Sequence, residues 1–132
     1  MTKECFSWIK KGDEDLASLR ALLKHQEGSP STGCFLAQQA VEKFLKALHV
    51  SIGLEPEKTH DLAGLAGSLV ETYPEIEGFY KKLIVFNRYY IESRYPGDYP
   101  ELTWEDCRQA LNVADEIKEF INQRLGKSLV RQ

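Results

Sequence analysis

Specialised chemistry is what this chain lacks first. Its three cysteines, Cys5, Cys34 and Cys107, are odd in number and include no CxxC pair. That argues against a disulfide framework and fits reduced thiols in a reducing compartment. No apolar run approaches the length of a membrane span, and the first residues form no signal-peptide core. A cytoplasmic protein without membrane contact is therefore expected. A net charge of -3 with a pI near 5.6 lacks the basic excess of a duplex-DNA binder. There is no Walker loop, dinucleotide fingerprint, HExxH or nucleophile elbow. Three dispersed histidines and no clustered carboxylates leave no expected metal or cofactor site. Alternating strand patterns, internal repeats and low-complexity segments are missing too.

Helical periodicity fills the space those absences leave. The 132 residues, 42% hydrophobic and 28% charged, suit one globular domain spanning 1–132. A chain of this length buries roughly two-thirds of its unfolded surface, enough for a core without metal or disulfide. A first helix is predicted after Thr2, with Phe6, Ile9, Leu16, Leu19 and Leu23 inward and Gly12 at a close approach or weak point. Residues 29–33 form a linker that supplies the next cap. The second helix runs from about Cys34 to Ile52 and turns Cys34, Ala37, Val41, Leu45, Leu48 and Ile52 to one face. Thr59 caps a short third helix, and Asp61 complements its dipole.

A fourth helix is predicted from about Glu75 to Tyr95, with a stripe of Ile76, Tyr80, Leu83, Asn87, Tyr90 and Arg94. Thr103 and Asp106 form a capping-box variant that opens the fifth, which Gly126 ends. Short connections between amphipathic helices imply an all-α, antiparallel up-and-down bundle of four to five helices.

Residues 87–100 are the most informative segment, placing two arginines and four tyrosines at a helix end and its turn. Arg offers a planar fork of donors for phosphate, and Tyr a stacking face with a polar tip. Together they suit an anionic, ring-bearing ligand such as a nucleotide. They also suit the closed end of a bundle. The stripe places Arg94 facing the end of the bundle interior, where it needs a carboxylate, carbonyls, water or a ligand. Its alternative role is a helix C-cap stacked on Tyr90. Arg88 has a ready surface partner in Glu92. His60 and Asp61 stand at a helix start, where free N–H groups favour anions. Lys43 and Lys46 project away from the core stripe, with Glu42 as a surface partner for Lys46. Rings at Trp8, Phe79, Tyr89 and Tyr99, taken as exposed, suggest a two-fold homodimer.

These residues resemble the HEPN domain, a small helical family named for proposed nucleotide binding. The run from Ala37 to Leu48 is similar to the family's A-x-x-A-x-E-K-x-x-K-A helix. Lys58-Thr59-His60-Asp61-Leu62 resembles its H-D-L helix start, and Ser93-Arg94-Tyr95-Pro96 its R-Y-P turn. The resemblance covers nearly the whole chain. It implies a four- or five-helix bundle, commonly dimeric, that binds nucleotide or RNA. It also implies a small nucleotidyltransferase as partner in a toxin–antitoxin-like pair. The site carried over comprises Arg94, Tyr95, His60 and Asp61, with Arg88, Lys43 and Lys46 adding charge.

Many relatives are metal-independent ribonucleases with an R-x(4-6)-H motif in the late helices. Here no His follows Arg88 or Arg94, and Arg20 and His25 have that spacing only in the first helix. The expectation leans away from an enzyme. A ribonuclease and a non-catalytic dimerisation module are the alternatives.

Overall fold

The computed structural model describes residues 2–130, and side chains as far as 126. Five α-helices and one 3-10 turn make up the domain, and no strand occurs among the described residues. The helices are α1 (Lys3–His25), α2 (Pro30–Ser51), α3 (Leu62–Gly67), α4 (Tyr80–Arg94) and α5 (Trp104–Val130). The 3-10 turn, Pro74–Phe79, leads into α4.

Caps explain where several helices start. Thr2 accepts from the Cys5 N–H at 3.2 Å. Ser29 accepts from the Thr32 N–H at 3.2 Å, and Pro30 occupies the first helical position, where its missing donor costs nothing. α2 therefore begins four residues before the predicted Cys34, and most of the expected linker is helix. Thr103 and Asp106 form the reciprocal capping box, with bonds of 2.8 and 3.1 Å. Gly126 does not end α5, which continues to Val130.

α2 is the central element and packs against each of the other four helices. Its burial therefore extends all round instead of along one stripe, and even Gln38, Glu42, Lys46 and His49 are buried. The expected solvated face bearing Lys46 does not exist. Two glycines permit the close approach. A Cβ on Gly12 would lie 2.6 Å from the Phe44 ring, and one on Gly33 would collide with the Cys107 thiol.

Two faces are rotated from their expected positions. On α1, Cys5 is fully buried and bonds the Ala47 carbonyl, while its neighbour Phe6 is 40% exposed. On α4, Leu83, Phe86 and Tyr89 form the buried seam. Tyr89 is thus core rather than surface, and Trp8 and Phe79 are half-buried. That rotation leaves Arg94 exposed on the last turn instead of facing the bundle interior.

Candidate functional site

The buried polar residues of α2 form a ladder. Gln38, Glu42 and Lys46 recur every four residues and so project from one side of the helix. Glu42 is 5% exposed and gains three partners. Its Oε1 accepts from Gln38 Nε2 at 3.3 Å and from His60 Nδ1 at 2.8 Å, while Oε2 accepts from Lys46 Nζ at 3.3 Å. Lys46 also lies 5.4 Å from the centre of the Trp8 ring. Removing a carboxylate from water is costly, and these bonds are what offset the cost.

His60 carries the ladder to the surface. Its side chain is 49% exposed, and it stacks on Tyr90 with ring centres 4.0 Å apart and planes 18° apart. The backbone is held as well, since Gln38 Nε2 donates to the His60 carbonyl at 3.4 Å. Tyr90 leans on Phe35 of α2 at 6.0 Å. Arg94 completes the group, its Cζ lying 5.4 Å from the centre of each of the Tyr90 and Phe35 rings. No acidic side chain among the described residues pairs with Arg94. A guanidinium held by ring faces keeps its hydrogen-bond donors available for an anion.

α4 brings this group together because Asn87, Tyr90 and Arg94 follow one another along one helix face. Asn87 spans to the start of α3, where its Nδ2 donates to Asp61 Oδ1 and its Oδ1 accepts from the Leu62 N–H. Thr59 does not cap α3, for its hydroxyl accepts from the Asp61 N–H instead. The start of this six-residue helix is thus occupied by Asn87 and is no anion site.

The seven proposed residues divide accordingly. Arg94 and His60 meet on Tyr90; Asp61 adjoins them but is engaged by Asn87; Lys46 contributes only through buried Glu42. Tyr95 belongs instead to a 380 Å³ cleft in the following loop, shared with Tyr99 and Pro100. Arg88 is held by Glu92 through two bonds of 3.0 and 3.1 Å. Lys43 is engaged by Asp15 of α1 at 2.6 Å. Neither joins the His60–Arg94 group. Phe35 and Gln38 are additional members with no counterpart among the expected site residues, and Glu42, expected on the surface, is buried. No signal within α2 marked them, since Gln39 and Lys43 repeat the same four-residue spacing on a neighbouring face.

Comparison with known proteins agrees with the architecture. The sequence profile of the HEPN domain family matches residues 6–125. The crystal structure of TT1696 from Thermus thermophilus is similar, with 27% identity and a TM-score of 0.83 over 94% of this chain and 100% of that one. So is ST0689, an archaeal HEPN homologue, with 26% identity and a TM-score of 0.73 over 94% of this chain and 99% of that one. No curated protein matches the chain.

Proposed function

Because the chain belongs to the HEPN domain family, we propose that it binds a nucleotide or RNA at the Arg94–Tyr90–His60 group. One observation carries this reading: Arg94 is exposed, lies against two aromatic rings, and has no acidic partner among the described residues. Phosphate recognition needs such an unneutralised fork of donors, and stacking of a base needs an aromatic face. Arg88 and Lys43 already have carboxylate partners and add general positive charge at most.

The protein acts as a homodimer and as the HEPN half of a pair with a small nucleotidyltransferase. Support for association comes from α4, where Ile84 and Ile91 are 55% and 50% exposed, two turns apart on one face. Calorimetric titration of the purified protein with AMP and with a short single-stranded RNA tests the binding reading. Saturable heat that disappears in Arg94→Ala supports it, and absence of binding to either probe refutes it. The partnership predicts a small nucleotidyltransferase gene beside this one; co-expression of the two followed by size-exclusion chromatography tests it, and separate elution or the lack of such a gene counts against it.

A further inference from the structure

His60 is fixed by two independent contacts, one for its proton and one for its plane. A carboxylate has only acceptors to offer, so the 2.8 Å contact to Glu42 Oε1 requires that Nδ1 carry the hydrogen. The stack on Tyr90 then sets the plane of the ring. With Nδ1 turned to the buried carboxylate, Nε2 is turned away from it, on a half-exposed side chain. No other side chain among the described residues bonds Nε2.

The expense of this arrangement points to its purpose. Glu42 and Lys46 form a buried ion pair, and such pairs commonly add little stability over an apolar pair of similar size. What the buried carboxylate supplies that an apolar residue could not is an oriented imidazole. The charged or titratable groups around that ring are Glu42 and Lys46 of α2, Asp61 beside it, and Tyr90 and Arg94 of α4.

We propose that Glu42 is a positioning residue that holds His60 Nε2 outward as the partner of a ribose hydroxyl, so that the site prefers ribonucleotides to deoxyribonucleotides. The inference rests on the nucleotide-binding reading of the same site. Arg94 and His60 lie against one ring, Tyr90, so a single nucleotide can present its phosphate to the first and its sugar to the second. In the neutral ring Nε2 is a lone pair, which a hydroxyl can satisfy and a phosphate oxygen cannot. The 2′-hydroxyl is the group by which proteins distinguish the two sugars. A deoxyribose would leave Nε2 without its partner.

The test compares 5′-AMP with 2′-deoxy-5′-AMP by calorimetric titration in wild type, His60→Ala, Glu42→Leu (which, unlike Gln, leaves Nδ1 no acceptor) and the double variant. One neutral hydrogen bond predicts a roughly two- to tenfold preference for AMP in wild type. Both single variants should lose that preference, and the double variant should be no worse than His60→Ala, because Glu42 acts through His60. Equal affinity of wild type for the two probes overturns the inference while leaving nucleotide binding intact. Additive losses in the double variant overturn the positioning role. If neither probe nor the short single-stranded RNA binds, the functional reading itself fails; RNA that binds no tighter than DNA of the same sequence overturns the inference alone. Nitrogen-15 spectra of wild-type His60 provide a readout that needs no ligand and no variant to fold. A ring protonated at Nδ1 in its neutral form supports the proposal, and the Nε2 tautomer sinks it.

Discussion

Asn87 grips the start of α3 with both ends of its side-chain amide. Nδ2 donates to Asp61 Oδ1 at 2.9 Å, and Oδ1 accepts from the Leu62 N–H at 2.8 Å. A six-residue helix is too short to be stable alone, so α3 depends on such external contacts. Asn87→Ala should therefore cost about 1–2 kcal/mol, the net worth of two hydrogen bonds. Faster amide exchange should be confined to Leu62–Gly67. Asn87→Asp should not rescue, because it sets a second carboxylate against Asp61. Exchange that rises evenly across all helices would show that Asn87 has no special hold on α3.

Arg94 and Arg88 should behave differently although both lie on α4. Arg94→Ala removes an unpaired guanidinium and should weaken AMP or RNA binding about tenfold or more, with circular dichroism unchanged. Arg88→Ala strands Glu92, whose side chain is 8% exposed, and should therefore lower the melting temperature while leaving affinity within about twofold. Parallel titrations decide. A larger loss in Arg88→Ala would move the binding site to the other side of α4.

Association should depend on the outer face of α4. Ile84 and Ile91 are exposed, and a charge there should oppose an apolar contact. We expect sedimentation of a dimer at tens of micromolar and of a monomer for Ile84→Asp/Ile91→Asp, with equal helix content. A wild-type monomer would contradict the dimer, and a dimeric double variant would place the interface elsewhere.

Alkaline pH should destabilise the fold through its buried weak acids. Burial, with a smaller contribution from neighbouring Cys107, pushes the Cys34 thiol from 9.0 up to about 12. Burial likewise pushes Tyr89 from 10.0 up to about 12. Below 9.0 the Cys34 thiol is protonated whether the chain is folded or not, so its contribution to stability is fully present. Between 9.0 and about 12 the unfolded chain releases the proton while the folded one retains it. Stability must therefore fall with rising pH across that window. Urea melts at about pH 8 and about pH 10.5 check the sign. A thiol reagent should likewise label Cys34 only upon unfolding, and rapid labelling of the native protein near neutral pH would refute its burial.

Gly33→Ala offers a test of packing against propensity. Alanine in a helix interior is favoured over glycine by about 1 kcal/mol. At Gly33, however, the added methyl would strike the Cys107 thiol and crowd Leu19 of α1. Overpacking commonly costs about 1–3 kcal/mol, so a lower melting temperature is expected. A higher one would mean that α2 and α5 can separate without penalty.

Local chemistry made much of the architecture readable from the residues alone. Thr2, Ser29 and the Thr103–Asp106 box are caps whose partners lie within three residues, so the helix starts at Lys3 and Trp104 follow from adjacent sequence. Periodicity likewise fixed the helical class, and the Arg–Tyr-rich segment pointed to the end of α4. Pro30 as a first helical residue is an equally local signal, masked by the serine and glycine around it, which read as linker.

The tertiary structure decided how far each helix is covered and which distant groups meet. α2 is surrounded on every side, so Glu42 and Lys46, which on an outer helix would be a solvated pair, became a buried one. Nothing within α2 encodes that, because burial depends on how many neighbours pack around a helix. The small rotation of α4 that buried Tyr89 and exposed Arg94 was set by its packing partners, two adjacent faces of that helix being nearly equal in apolar character. The contacts of His60 with Glu42, 18 residues away, and with Tyr90 join three segments. Periodicity has no term for such meetings. They exist only once the core has fixed the helices against one another.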